Sequence, residues 1–384
     1  MRQNFPTIGL QDLVNTPDHP HVRARALAPS ARVALPPLPS GQFQLARMDV
    51  PTAPGGAPWT DDHYWSPAPI MIEFHDVIVH SAAGIICAGG QVVFNTLHQA
   101  NQQDEGWALL ADGVAALDLE DDIPRLSGRH LSLLTGNADN YYHWMMDGIG
   151  RLAATDLAEI GKLDGVLHPA CALPMQRDSL RRLGLKLPAR PVPRRTSLWV
   201  ETLLVPWSVI AEHVPHPMMV PLFQRMAANP PPAPAPGLYP RRLYIDRRAT
   251  ANRKLVNEAD VIAALEADGF VAVQPERLAL SVQIALFANA EIIVAPHGAA
   301  LTNIVFCRPG TALIELHMNS WVMWNFRRFA ALVGLRYDCV IGLDNQPPGT
   351  PPTNWPHDYQ WEITLADVRA AVDLATDLPN RPTR

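Results

Sequence analysis

Three side chains that can move protons or hold charge stand four residues apart in the stretch NYYHWMMDGIGR: His143, Asp147 and Arg151. On an α-helix this spacing places an imidazole, a carboxylate and a guanidinium along one face. One interpretation is a salt-bridge ladder. The other is a catalytic base, in which Asp147 is kept ionised and oriented by its two neighbours. His143 is the alternative base, because an unperturbed imidazole titrates near neutral pH.

Arginines follow a predicted strand in the second half of the chain. Arg247, Arg248 and Arg253 come after the apolar run RLYI, and Asn257 and Glu258 begin the next predicted helix. The planar guanidinium group pairs with phosphate or carboxylate through two parallel hydrogen bonds. We therefore expect an anion-binding site here and include Asn257 in it. The alternative is that these arginines face water or pair with Glu258.

A second strand end has the sequence PHGAALTN, after the run EIIVA. Gly298 has no side chain to keep a ligand from the backbone, and the helix that follows offers free N–H groups and the positive end of its dipole. A phosphate group fits such a turn, and His297 can donate a hydrogen bond to it. Three further residues belong to this predicted site: Ala299, Thr302 and Asn303. The turn matches neither a Walker loop nor G-x-G-x-x-G, so structural packing of the turn is the alternative.

Glu315 stands near the end of the predicted strand TALIEL, where a carboxylate can accept hydrogen bonds from a ribose diol. A buried structural carboxylate is the alternative. The best candidate for a metal site is the acidic run DLEDD, residues 118–122, which we interpret as a solvated loop. His143 and His297 lack the H-E-x-x-H spacing of a zinc site. We therefore expect neither a metal nor another cofactor.

Proline-rich segments divide the chain. The first 65 or so residues, with LPPLPSG and PTAPGGAPW, predict an irregular arm with little helix, and the stretch 228–242 predicts a stiff connector between two domains. Between them, strand-like runs alternate with helices, including one from about Tyr141 to Leu157. After the connector, short apolar strands alternate with helices of ten or more residues. This alternation predicts a parallel sheet flanked by helices, in which ligands bind beyond the carboxyl ends of the strands.

The composition excludes several classes of protein. The chain has 384 residues, 48% of them hydrophobic, and a formal net charge of −6 without any basic block, which argues against a nucleic-acid partner or a polybasic membrane anchor. No run approaches the roughly 18–20 apolar residues of a membrane helix, and the N-terminus lacks the apolar core of a signal peptide. Four scattered cysteines indicate reduced thiols: Cys87, Cys171, Cys307 and Cys339. We expect a cytoplasmic protein, with a peripheral position at the inner membrane left open.

Taken together, these motifs resemble glycosyltransferase family 61. The resemblance covers about residues 130–320 and rests on NYYHWMMD followed by Arg151, on YIDRR followed by Arg253 and NE, on PERLALSVQIALFANA, and on APHGAALTNIVFCRPGTALIEL. Two positions depart from the family's pattern. Gly150 stands where proline is frequent, and Ala300 stands where a glycine is common. Neither departure removes a polar group, so both concern local geometry more than chemistry.

The resemblance implies an α/β protein of GT-B-like architecture, with two Rossmann-type domains facing a cleft. The expected divisions are residues 1–230, an irregular proline-rich arm plus an acceptor-side domain, residues 231–345, a nucleotide-sugar-binding domain, and residues 346–384, a tail for which packing on the first domain is one option. Asp147, His143 and Arg151 become the expected catalytic residues, and the residues at the two strand ends become the expected donor-binding residues.

The activity that the resemblance implies is inverting transfer of a sugar from a nucleotide-sugar donor to a hydroxyl of a glycan or lipid-linked glycan acceptor. Bacterial relatives are associated with surface polysaccharide biosynthesis, including capsule and exopolysaccharide. Two alternatives stay open, a non-catalytic protein that binds a nucleotide sugar or a glycan, and a nucleotide-sugar epimerase on a similar two-domain plan. The sequence leaves the oligomeric state open.

Overall fold

The protein divides into two compact units, each built from two separate stretches of chain. The structure, a computed structural model, describes residues 1–45, 59–97, 100–155, 160–170, 173–184, 188–207, 209–211, 213–228, 239–347 and 358–377. The first unit comprises residues 1–31 and 67–211, and the second comprises residues 32–66 and 212–384. Residues 229–238 of the predicted connector, together with Cys171, lie outside the described residues.

The secondary structure alternates between strands and short helices. The strands are β1 (Arg2–Ile8), β2 (Val22–Ala26), β3 (Ala31–Ala34), β4 (His63–Ser66), β5 (Ile70–His80), β6 (Ile85–Ala88), β7 (Gln91–Val93), β8 (Trp107–Leu110), β9 (Val114–Asp118), β10 (Arg125–Ser132), β11 (Gly165–Pro169), β12 (Ala189–Val192), β13 (Ser197–Trp207), β14 (Ile210–Ala211), β15 (Val214–Pro215), β16 (Arg242–Ile245), β17 (Lys254–Leu255), β18 (Val271–Val273), β19 (Ile292–Pro296), β20 (Ala312–Met318), β21 (Arg336–Asp344) and β22 (Gln360–Glu362). The α-helices are α1 (Leu10–Asn15), α2 (Gly41–Leu45), α3 (Gln102–Glu105), α4 (Tyr141–His143), α5 (Pro174–Arg182), α6 (Val220–Ala228), α7 (Glu258–Glu266), α8 (Leu280–Asn289), α9 (Asn325–Val333) and α10 (Leu365–Asp377). The predicted α/β class is confirmed.

The first unit contains a mixed sheet in the order β12-β11-β10-β13-β5-β6-β7-β1-β9-β8, with β2 also paired to β5. The first four strands in this order run parallel, and by their order in the sequence they read 3-2-1-4, which is part of the order of a classic Rossmann sheet. From β13 to β5 the pairing becomes antiparallel. The predicted Rossmann-type domain therefore describes only the parallel part of this unit.

The N-terminal residues differ from the predicted irregular arm. Strand β1 pairs with β9 over five residues and with β7 over two. Its sequence RQNFPTI contains a proline and shows no clean alternation of apolar and polar residues, so the usual strand pattern is missing. The pairing of β1 with its neighbours therefore depends on tertiary contacts in the sheet rather than on the β-propensity of its own sequence.

The stretch that carries the spaced His143, Asp147 and Arg151 is helical, but it changes type along its length. It is α-helical in α4, π-helical over Trp144–Gly148 and a 3₁₀-helix over Ile149–Ala154. The Asn140 side chain caps the start by accepting a hydrogen bond from the Tyr142 N–H at 2.9 Å. The predicted end at Leu157 lies outside the described residues. Single π-helical turns of this kind occur frequently at functional sites.

The second unit contains a seven-stranded sheet in the order β17-β22-β21-β20-β19-β16-β18, in which the predicted parallel part is followed by the antiparallel pair of β21 and β22. The five parallel strands β16, β18, β19, β20 and β21 follow the order 2-1-3-4-5 of doubly wound flavodoxin-like sheets. Strands β19 and β20 are buried at every residue, because both of their faces are covered. The strand order reverses between β16 and β19, and ligands bind at the carboxyl ends beside such a switch point.

Two segments join the second unit against the predicted division. The stretch 32–66 was expected in the first domain, but the buried Arg327 guanidinium donates to the carbonyls of Pro36, Trp59 and Asp61. For the C-terminal tail, packing on the first domain was one option, but β22 pairs with β21 and α10 contributes to the core of the second unit. Long-range contacts of this kind leave no mark on local sequence patterns.

Two further expectations concern cysteines and membrane segments. Cys87, Cys307 and Cys339 are free and buried, in agreement with the predicted reduced thiols. No helix in the described part of the chain has the length and apolar character needed to cross a bilayer.

Candidate functional site

The first unit brings His143 and Asp147 into a direct contact. The His143 Nδ1 atom lies 2.7 Å from Asp147 Oδ2, and both side chains are less than one-fifth exposed. A neutral imidazole that donates its Nδ1–H to the carboxylate leaves Asp147 with its second oxygen as a proton acceptor. The pair is therefore suited to take a proton from a hydroxyl group.

Arg151 does not complete the expected ladder. Its Nη1 atom donates to the Leu134 carbonyl at 2.7 Å, just beyond the end of β10. Burial lowers the pKa of Arg151 to about 10, while Asp147 raises it, so the two side chains still interact electrostatically. The change from π-helix to 3₁₀-helix at Gly148, whose dihedral angles are non-helical, removes the regular four-residue stacking. Arg151 thus ties this helical stretch to the carboxyl end of β10.

The switch point of the second unit brings together the two predicted strand ends. An Nη1–H of Arg247, after β16, donates to the His297 carbonyl, after β19. A Cβ atom at Gly298 would lie 2.8 Å from Arg247 Nη1, so a side chain at this position would displace the guanidinium from its place across the turn. Burial lowers the pKa of the Arg247 guanidinium, against the effect of Glu258.

Arg253 places a second cation beside Arg247. Its guanidinium lies over the Trp321 indole ring, 5.4 Å from the ring centroid. Its φ of +49° is rare for a residue with a side chain, and such strain is concentrated at functional sites. Burial first, and then Arg247, lower the pKa of Arg253 to about 10. Within the described part of the chain, no carboxylate lies within ion-pair distance of either guanidinium, so the pair is suited to bind an anion.

His297 is held by a buried network beneath the turn. Its Nδ1 lies 2.6 Å from Glu315 Oε1, and the Tyr337 hydroxyl donates to Glu315 Oε2 at 2.7 Å. His317 Nε2 lies 3.4 Å from the same Oε2. Burial alone would raise the pKa of Glu315, but the charges of and hydrogen bonds from His317 and His297 outweigh it and hold the pKa at about 2. Glu315 is thus an ionised carboxylate that fixes the His297 ring.

Glu315 does not occupy the predicted ribose position. It is fully buried, and both of its oxygens already accept hydrogen bonds. A ribose diol would have to displace His297 or Tyr337. Glu315 is instead a buried structural carboxylate, which was the alternative interpretation.

Several other predicted donor-site residues are engaged within the fold. Both Arg248 and Asn257 use their polar atoms locally, Arg248 with the Asp246 carboxylate and Asn257 with the backbone of Ile363. The Asn303 amide donates to Gln283 and to a backbone carbonyl, and it is fully buried. Ala299 and Thr302 lie in the 3₁₀-helix after Gly298, where the buried Thr302 hydroxyl has no hydrogen-bond partner among the described residues.

Three residues of this site were missing from the sequence prediction. Trp321 supports Arg253, and His317 and Tyr337 support Glu315. A signal for His317 was present, because residues 315 and 317 of a strand point to the same face of the sheet. Trp321 and Tyr337 reach the site through tertiary packing and carried no comparable signal.

The acidic run 118–122 lies in the first unit, and its carboxylates have separate partners. Asp118 lies 3.7 Å from Arg2, and Glu120 accepts from the Ser197 N–H. These two carboxylates therefore contact different parts of the first unit.

A more compact set of possible metal ligands occurs in the second unit. Among the described residues, His297, Glu315 and His317 each bring one ligand atom within 4.8 Å of the others. However, His297 Nδ1 and Glu315 Oε1 are only 2.6 Å apart, whereas two ligands of a tetrahedral ion stand about 3.4 Å apart. The geometry is that of a hydrogen-bonded network.

Comparisons with known proteins indicate what kind of protein this chain resembles. Residues 141–314 match the family model described as Glycosyltransferase 61. The chain is also 34% identical over 156 residues to the EGF domain-specific O-linked N-acetylglucosamine transferase of Drosophila melanogaster. That alignment covers 37% of this chain and 30% of the relative. Both findings support the resemblance to glycosyltransferase family 61, and the matched range contains His143, Asp147, Arg253 and His297.

Proposed function

We propose that this protein is an inverting glycosyltransferase that moves a sugar from a nucleoside-diphosphate sugar to a hydroxyl of a glycan acceptor. One observation carries the proposal. At the switch point of a 2-1-3-4-5 sheet, Arg247 and Arg253 lie beside the turn at Gly298. Two neighbouring cations with no carboxylate within ion-pair distance in the described chain favour a bound anion, and a diphosphate supplies the complementary charge.

In this proposal the second unit stabilises the leaving group. As the bond between C1 of the sugar and the diphosphate oxygen breaks, negative charge accumulates on the diphosphate. Arg247 and Arg253 are already fixed by contacts with the His297 carbonyl and the Trp321 ring, so little reorganisation is needed as this charge develops. Such preorganised charge stabilisation is usually the largest single contribution to enzymatic rate enhancement.

The first unit supplies the base. The acceptor hydroxyl transfers its proton to the Asp147 carboxylate while its oxygen attacks C1, and His143 orients the carboxylate through the 2.7 Å contact. Attack on the face opposite the leaving group inverts the anomeric configuration. A GT-B-like arrangement of the two units is part of this proposal, as are a glycan or lipid-linked glycan acceptor, surface polysaccharide biosynthesis and a cytoplasmic location.

A donor screen tests the proposal. Purified protein is incubated with UDP-, GDP- and dTDP-sugars, with and without membrane or oligosaccharide extracts, and released nucleotide and product masses are measured. The name of the fly relative specifies N-acetylglucosamine, so we test UDP-N-acetylglucosamine first. We expect nucleotide release that depends on an acceptor, together with a product heavier by one sugar. An isomerised nucleotide sugar formed without acceptor would indicate an epimerase, and binding without turnover would indicate a non-catalytic protein.

Transfer should persist in excess EDTA. Two guanidinium groups occupy the role that a divalent cation has in metal-dependent transferases, so removal of free metal should leave the initial rate unchanged. The control is EDTA already saturated with Mg²⁺. Loss of the rate in EDTA and its recovery with Mn²⁺ would contradict this expectation and direct attention to residues 118–122 or to the His297 network.

Gly298→Ala should weaken nucleoside-diphosphate binding by about tenfold, or about 1.4 kcal/mol. The added Cβ would lie 2.8 Å from Arg247 Nη1 and displace the guanidinium, whereas a φ of 175° accommodates alanine without strain. Calorimetry with UDP and GDP measures the affinity. Gly9→Ala is the matched control, because its Cβ would also meet a flexible side-chain end at 2.8 Å, that of Asp12 in the first unit. Equal affinities for both variants and the wild type would contradict this placement.

A further inference from the structure

The His297 ring has one fixed nitrogen and one available nitrogen. Nδ1 bonds to the ionised Glu315, so in the neutral ring the proton resides on Nδ1. Nε2 then carries a lone pair, and it makes no hydrogen bond to any described residue. The His297 side chain is 11% exposed. His297 comes directly after the last residue of β19, and Gly298 is the next residue. The turn therefore presents an acceptor where a diphosphate would need a donor.

The surroundings keep this ring neutral in the free protein. Glu315 and His317 face it from β20, with the two imidazole ring centroids 5.5 Å apart. Arg253 acts on it from the loop before β17, Arg247 lies across its carbonyl, and Tyr337 reaches Glu315 from β21. Burial is the main cause that lowers the pKa of His297 to about 4, and Arg253 and His317 add to it, while Glu315 opposes them.

A bound diphosphate changes this balance. Its negative charges offset those of Arg247 and Arg253, which removes repulsion of a proton on the ring. If Nε2 carried no proton, its lone pair would face a lone pair of a neighbouring phosphate oxygen, and the two groups would repel each other. The buried Glu315 carboxylate, already bonded to Nδ1, compensates the charge of the resulting imidazolium.

We propose that binding of a nucleotide sugar at this edge of the sheet is coupled to uptake of one proton from solvent by Nε2 of His297, which then donates a hydrogen bond to the diphosphate. This inference rests on the proposed function and deepens it. The proton comes from the buffer, forms the Nε2–H bond and returns to solvent when the nucleotide leaves. Glu315 and Tyr337 act as positioning residues, since they touch His297 or each other and not the ligand.

A pH dependence follows with a definite sign. Because binding raises the proton affinity of His297, nucleotide-sugar affinity is highest below the pKa of His297 in the free protein, falls as pH rises from that pKa to the pKa in the complex, and levels off above it. The dependence approaches tenfold per pH unit between the free and bound pKa values. Nucleotide sugars are suitable probes because their diphosphate diesters, unlike free nucleoside diphosphates, do not titrate near neutral pH.

The test is calorimetry of the full chain with UDP-N-acetylglucosamine, without acceptor, in PIPES, ACES and imidazole buffers at one pH. GDP-mannose and dTDP-glucose are used if the first does not bind. The dependence of the observed heat on buffer ionisation enthalpy gives the number of protons taken up. We expect close to one proton near pH 6.5 for the wild type, and affinity that weakens steadily from pH 5.5 to 7.5.

Two variants locate the proton. His297→Gln retains a donor to Glu315 but cannot titrate, so its proton uptake and pH dependence should disappear. His168→Gln is the matched control, because burial also lowers the pKa of His168 and this residue lies in the first unit. Binding without proton uptake in the wild type would overturn the inference and leave the proposed function intact. Proton uptake that persists in a folded His297→Gln variant would also overturn the inference without contradicting the proposed function. Failure of all three nucleotide sugars to bind would contradict the proposed function itself.

Discussion

Asp147→Asn is expected to lower kcat by roughly 10²- to 10⁴-fold while donor affinity and folding stay nearly unchanged. Asparagine keeps the shape of the side chain and can still contact His143, but it cannot accept the proton of the acceptor hydroxyl. The measurements are steady-state turnover with the donor and acceptor found in the screen, calorimetric donor affinity and thermal unfolding.

A structural salt bridge predicts a different pattern for the same substitution. Breaking an exposed helical ion pair costs about 0.3–0.5 kcal/mol of stability, and a less exposed pair such as this one costs more, but turnover would stay intact in either case. Asp178→Asn is the matched control, because Asp178 pairs with Arg181 on helix α5 of the same unit. If Asp147→Asn and His143→Ala both leave turnover unchanged in an active transferase, this helical stretch has only a structural role. Abolished turnover in His143→Ala beside a merely slow Asp147→Asn would make the imidazole the base.

Arg253→Ala should weaken nucleoside-diphosphate binding by about 1.5–3 kcal/mol, which is roughly 10- to 150-fold. The loss is concentrated in the complex, because Arg253 forms no ion pair within the described chain and its removal relieves repulsion with Arg247. The free protein should therefore unfold at nearly the same temperature. Calorimetry with UDP, GDP and dTDP measures the change in affinity.

Arg242→Ala is the matched control for Arg253. Its guanidinium also stacks on an aromatic ring, 5.7 Å from the Phe270 centroid, but it lies at the opposite end of strand β16. Its substitution should leave nucleotide affinity unchanged. If Arg253→Ala binds the nucleotide as tightly as Arg242→Ala does, the diphosphate does not lie where we place it.

The parallel sheet of the second unit could be predicted because its elements carry strong local signals. Short, buried runs that are rich in apolar residues, such as those of β19 and β20, alternate with amphipathic helices. The strand order could not be predicted, because it depends on which distant strands pair. That order places Arg247 next to Gly298, so the sequence indicated the residues of the site without showing that they meet.

The failed expectations share a physical cause in tertiary contacts. Glu315 lies in a strand buried on both faces, where alternation cannot separate a ligand-facing residue from a core residue. The stretch 32–66 is held in the second unit by Arg327, and by Asp338, which accepts hydrogen bonds from the N–H groups of Ser40 and Gly41. The π-helical turn at Trp144–Gly148 has the same residue pattern as an α-helix, so spacing alone predicted the His143–Asp147 contact but also an Arg151 contact that does not form.

Hydrogen–deuterium exchange of the wild-type chain, with and without saturating nucleotide sugar, tests the central claim most directly. The account predicts slower exchange of the backbone amides in two segments that are distant in sequence, residues 246–254 and 297–303. These segments follow β16 and β19, whose carboxyl ends flank the switch point. A nucleotide sugar shown by calorimetry to be bound, but leaving exchange in both segments unchanged, would contradict a donor site at this edge of the sheet.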